Sequence, residues 1–94
     1  MPYTHVIWDL EEDPDGNVRH IAEHGVTVIE VTKVLENPQS QWVRSRASDN
    51  RIVFGWTETG KHLAVVYQHV QDDPPTAYPI TAYETPPQAK RRRK

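Results

Sequence analysis

Arg51, Lys61 and Tyr67 are the residues whose types and spacing point to chemistry in this 94-residue chain. The guanidinium fork of Arg51 suits bidentate contact with phosphate, and Lys61 adds a compact positive charge without the fork. Tyr67, like Tyr83 further on, can stack on a base or donate a proton. Glu84 is a candidate base, although strand alternation puts it on the opposite side from Tyr83. Arg44 and Arg46 would join Arg51 if their strand faces the same way. Together these side chains would make a basic and phenolic surface able to hold a phosphate backbone.

Their placement depends on the stretch Arg51 to Tyr67, RIVFGWTETGKHLAVVY. Thr57-Glu58-Thr59-Gly60-Lys61 reads as a hairpin loop, with Gly60 at the position that requires positive φ. If Thr57 faces Lys61, then Trp56 faces His62, Phe54 faces Ala64 and Ile52 faces Val66. Those six share one side of the sheet, nearly all apolar, and read as core. Arg51, Val53, Gly55, Lys61, Leu63, Val65 and Tyr67 share the other side, apolar in its middle and polar towards its ends. That second side is expected to be the functional one, left uncovered by the helices. Trp8, Trp42, Phe54 and Trp56 are all read as core residues.

The remaining elements follow from punctuation and periodicity. His5 to Asp9 predicts a first strand. Asp13 is expected to cap a helix with Pro14 at its first position, ending at Gly25 in a left-handed cap. Thr27 and Glu30 form a capping box for a second helix, with Val28, Val31, Val34 and Leu35 on one face and Asn37-Pro38 as its stop. Gln41 to Arg46 reads as a strand, the second hairpin strand can extend to Val70, and Ala77 to Glu84 is a last strand in which Pro79 marks an edge or an irregularity. The order β-αα-ββββ predicts an α+β fold with two N-terminal helices packed on one face of a mostly antiparallel four- to five-stranded sheet.

Two metal-binding patterns fail on inspection. His20 to His24, HIAEH, fits a zinc-protease motif, but Gly25 ends the helix at once and no third ligand is evident. Asp13 to Asn17, DPDGN, has the opening of a calcium loop, yet the twelfth position is His24 instead of Glu. No metal and no other cofactor is expected.

The length suits one domain, residues 1–84, followed by a disordered Pro-rich and basic tail over 85–94. There are no cysteines and no run long enough to span a membrane, which fits a cytoplasmic location. The formal net charge of -2 conceals a split. Up to Ala89 the chain has 6 basic and 13 acidic residues, and five basic residues close it as Lys90 to Lys94. An acidic body is a poor match for a phosphate backbone; the basic tail either supplies that attraction or is simply a solvated end.

An ordered set of short matches resembles the BrnT-type toxins. Trp8-Asp9, Asn17, His24-Gly25-Val26 and Val34-Leu35-x-Asn37-Pro38 match the N-terminal half of that family. Arg51-x3-Gly55-x-Thr57-x2-Gly60-Lys61-x-Leu63-x-Val65-Val66-Tyr67 and Ile80-Thr81-Ala82 match the rest, over roughly residues 5 to 84. The resemblance implies a RelE-like fold, a metal-independent ribonuclease that blocks translation, and an antitoxin partner encoded beside it. It puts Arg51, Lys61 and Tyr83 in catalytic roles, with Arg51 and Lys61 on phosphate and Tyr83 as substrate contact or proton donor. Arg44, Arg46, Tyr67 and Glu84 would contact RNA. Such cleavage needs the 2′-hydroxyl deprotonated, the leaving oxygen protonated and the phosphorane charge stabilised. The chain departs from the family at those positions. Lys61 replaces the usual Arg, Tyr83 stands where the last strand carries Arg, and a Pro-rich stop replaces the C-terminal helix. A second reading is therefore a catalytically degenerate module on the same fold that binds protein or RNA.

Overall fold

A computed structural model describes residues 3–38, 40–45 and 49–86. Five strands and two helices follow in the order β1 (His5–Val6), α1 (Asn17–Ala22), α2 (Val28–Glu36), β2 (Gln41–Arg44), β3 (Arg51–Trp56), β4 (His62–Asp72) and β5 (Pro75–Glu84). The strands form one sheet in the spatial order β1-β5-β4-β3-β2.

The expected arrangement of two N-terminal helices on a mostly antiparallel, RelE-like sheet is corrected by this topology. The sheet is mixed, because β1 precedes the helices and lies parallel to the last strand, pairing His5 with Thr76 and Val6 with Ala77. The two helices thus form the connection from one edge strand of the sheet to the other. The physical reason lies in β5, whose outer edge would otherwise be unpaired along its first half. Thr4 N–H donates to the Pro75 carbonyl and Ile7 N–H to the Ala77 carbonyl, which closes that edge. The strand expected over His5 to Asp9 is short because the Asp9 backbone N–H turns away to the Asn17 side chain at 2.9 Å.

The hairpin register agrees with the expected one throughout, from Arg51 opposite Tyr67 to Trp56 opposite His62, and Gly60 has φ 92°. What the structure reverses is the assignment of its sides. The buried cluster joins Val53, Leu63, Val65 and Tyr67 to Ile21, Val26, Val31, Val34 and Leu35, so the helices cover the side that carries Arg51 and Lys61. Gly55 allows this approach: a Cβ there would stand 2.8 Å from Ser40 Oγ and 3.0 Å from a Val34 methyl. The side read as core is the open one. Ile52, Phe54 and Val66 are only half-buried, and Trp56 is 56 % exposed. Trp42 is 40 % exposed, and of the four aromatics read as core only Trp8 packs against the buried cluster.

Helix α2 follows its sequence signals. Thr27 Oγ1 accepts from Glu30 N–H, Glu30 Oε1 accepts from Thr27 N–H, and Val31, Val34 and Leu35 are buried. Helix α1 does not start where expected. Its N-cap is Gly16, and Asp13 instead accepts the Asp15 N–H in a local turn before it. Gly25, at φ 74°, ends the following turn. Asn17 ties α1 to the sheet: its side-chain amide donates to the Ile7 and Pro79 carbonyls and its Oδ1 accepts from Asp9 N–H. Pro79 lies opposite Tyr67, beside the register shift between Val66 and Tyr67, where the missing N–H is tolerated. No helix among the described residues is long and apolar enough to cross a membrane.

Candidate functional site

The residues expected to grip a phosphate lie apart. Arg51 opens β3, whereas Lys61 lies beyond its far end, at the hairpin loop. At about 3.3 Å per residue the two are separated by roughly 17 Å or more along the ribbon, too far to share one phosphate. Both also lie on the helix-covered side and have partners there. Lys61 Nζ is 3.3 Å from Glu30 Oε2 and donates to the Gly25 carbonyl at 3.2 Å. It thereby links the capping box of α2 to the turn that follows α1. Burial raises the Glu30 pKa, but hydrogen bonds from Thr27 and the Lys61 ammonium outweigh it and hold the carboxyl below its ordinary value.

Arg51 belongs to a different cluster. Its guanidinium carbon lies 4.0 Å from the centroid of the Trp42 ring, a cation–π contact. One guanidinium N–H donates to the Tyr3 hydroxyl at 3.1 Å. Tyr3 O is also 2.9 Å from His69 Nδ1, and His69 Nε2 is 2.7 Å from Asp72 Oδ1. These residues and Pro75 line a cavity of about 140 Å³. Tyr67 packs edge-on against Tyr3, with ring centroids 5.2 Å apart. Tyr67 is fully buried, and burial first, then the hydrogen bond to Tyr3, pushes its hydroxyl pKa well up. It is therefore neither a stacking platform nor a proton donor to a bound substrate.

The other expected site residues scatter. Arg44 is exposed and directly opposite Arg51 in the register. Arg46 lies outside the described residues. Tyr83 is 39 % exposed, lies opposite Ala64 and has its ring centroid 6.2 Å from His24. Glu84 is exposed and opposite Leu63, one alternation away from Tyr83. Neither meets Arg51 or Lys61. Tyr3, His69 and Asp72, which do meet Arg51, were not expected. Tyr3 stands before the first strand and carried no periodic signal; His69 and Asp72 are at the far end of β4, where only the length of the strand could have pointed to them.

The second candidate is the open side of the sheet. In the observed register it presents Val43, Ile52, Phe54, Trp56, His62, Val66 and Tyr83. His62 stacks on Phe54 at an interplanar angle of 5° and lies 4.8 Å from Trp56, centroid to centroid. Its Nδ1 is 3.0 Å from the Thr85 carbonyl, while Thr85 N–H donates to the His62 carbonyl, so the chain leaving β5 runs beside this aromatic group. The basic tail beyond it, from residue 87, lies outside the described residues. No Lys or Arg of the described residues is in register on this side. Comparison of the chain with protein-family models, with curated proteins and with solved structures gave no match in any of the three.

Proposed function

We propose that this chain is a non-enzymatic interaction module, acting in the cytoplasm, whose open sheet side takes a protein partner. In the terms of the BrnT resemblance, that partner is the antitoxin encoded beside it. The observation that carries this reading is the uncovered apolar and aromatic side around Phe54, Trp56 and Val43, with Trp56 at 56 % and Val43 at 51 % exposure. A contiguous exposed apolar surface favours association with another protein. RNA is less suited to it, because that side lacks cations among the described residues and the body is acidic. The same acidity favours a partner that is basic around its apolar contact. The ribonuclease reading is weakened because Arg51 and Lys61 are bound to separate internal partners, not to a common site.

The test is co-expression with the product of the adjoining small gene, with complex mass measured by light scattering. A mixed complex that forms with the native chain and is lost on Trp56→Glu supports the module. Self-association through the same residue, without a mixed complex, overturns the choice of partner. RNA cleavage or growth arrest by the native chain, abolished by Arg51→Ala, overturns the non-enzymatic reading.

A further inference from the structure

We infer that the open aromatic side of the sheet is a docking surface for this chain's own basic tail, with Arg91, Arg92 and Arg93 laid over the rings of Trp56 and Phe54. The docking goes beyond the partner reading. Only its consequence rests on that reading: the antitoxin has to displace the tail. The first observation is where the described chain ends. Thr85 N–H donates to the His62 carbonyl at 2.8 Å, and the Thr85 carbonyl is 3.0 Å from His62 Nδ1. Pro86 then lines an open cavity of about 450 Å³ together with Trp56, Gly60, His62, Glu84 and Thr85. The tail therefore leaves the fold beside the aromatic group itself. Eight residues follow, 87–94, and the last five are Lys or Arg. At roughly 3.3 Å per residue, Lys90 reaches about 13 Å from Pro86 and Lys94 about 26 Å. From β5 across to β2 the sheet spans three strand spacings, roughly 14 Å. The basic run is thus at the right remove to lie over β3 and β2.

The second observation is what this surface offers a cation. Trp56 is 56 % exposed, its ring meets His62 at 58°, and Phe54 continues the row parallel to His62. Exposed aromatic faces attract guanidinium groups, Arg more often than Lys and Trp better than Phe. The cavity lining holds one acid, Glu84, and no Lys or Arg. No Lys or Arg of the described residues repels the tail from the rest of that side. Up to Ala89 the chain carries 6 basic and 13 acidic residues, so its field draws the five tail cations back towards the body. The aliphatic stems of the arginines would cover Val43 and Ile52, which the helices leave in contact with water. A tether this short holds the tail at an effective concentration in the millimolar range, so individually weak contacts suffice. The tail of a second copy lacks that advantage.

The experiment compares the native full chain by NMR with a full-length triple variant, Arg91→Gln, Arg92→Gln and Arg93→Gln. The Trp56 indole N–H and the Phe54 and His62 amides should shift between the two. The indole of Trp8, which packs against the buried cluster on the other side, should not. A triple Arg→Lys variant, which keeps the charge but stacks less well, should fall between them. The native shifts should be unchanged on dilution. Identical Trp56 signals in the native chain and the Gln variant would overturn the proposal. So would native shifts that disappear on dilution, because they would place the tail on a second copy. Calorimetry with the antitoxin separates the docking from the partner reading. The Gln variant should bind several-fold more tightly than the native chain, since it has no tail to displace. Equal affinities beside an intact Trp56 difference would overturn the displacement, and no binding by either chain would overturn the partner reading alone.

Discussion

At the scale of single residues, Asn17 makes three side-chain hydrogen bonds from a buried position. It is 3 % exposed, and its amide serves Ile7, Pro79 and Asp9 together. Asn17→Ala would leave two carbonyls and an N–H without partners, and it should lower unfolding free energy by about 2–4 kcal/mol in denaturant melts. Asp9 completes this junction, accepting from the Asn17 N–H and the Tyr78 hydroxyl. Those hydrogen bonds, the Asn17 N–H first, hold the Asp9 carboxyl below its ordinary value of 3.8. A depressed folded pKa stabilises above the unfolded value and loses that contribution as pH falls through the folded one. The melting-temperature gap between the native chain and Asp9→Asn should therefore be widest near neutrality and should close as pH falls below 3.8. A gap that is constant with pH would mean that Asp9 acts by shape alone. Arg51 and Lys61 show what was legible but unused. The hairpin register implied by Gly60 already set them at opposite ends of the ribbon, so the shared phosphate site could have been rejected from spacing. The grouping of Arg51 with Tyr3 and His69 was not legible, because it depends on how the N-terminal segment runs across β4.

At the scale of elements, α2 and the β3–β4 hairpin were specified locally. The capping box, the valine face and the turn glycine all act within a few residues of where they stand. Which side of the hairpin α2 covers is not specified locally, because both sides are apolar in their middle. Gly55 carries the missing signal: only a strand position without a side chain lets Val34 and Ser40 come so close. Gly55→Ala should force α2 outward and lower stability by about 1–3 kcal/mol, measured by thermal or denaturant unfolding. A neutral Gly55→Ala would contradict the placement of α2. The aliphatic character of Val53, Leu63 and Val65 against the aromatic character of Phe54 and Trp56 agrees with this outcome, since the aromatic side is the one left in contact with water. Helix α1 began later than Asp13-Pro14 suggested, because Asp13 spends its carboxylate on the Asp15 N–H and the junction at Asn17 sets the first turn.

At the scale of the whole molecule, β1 was expected as a strand, but its parallel union with β5 was not. Such a pairing joins segments some seventy positions apart and leaves no local trace. The consequence is a sheet with one side covered by the helices over β3, β4 and β5 and the other side bare. The apolar bare side on a chain with an acidic body is the feature on which the proposed partner surface rests. The most direct test of that proposal is the affinity of the native chain and of Trp56→Glu for the proposed antitoxin partner, measured by calorimetry beside their melting temperatures. A buried central aromatic is worth 2 kcal/mol or more at an interface, so Trp56→Glu should weaken binding at least about thirtyfold with little change in melting temperature. Equal affinities for the two chains would contradict the account.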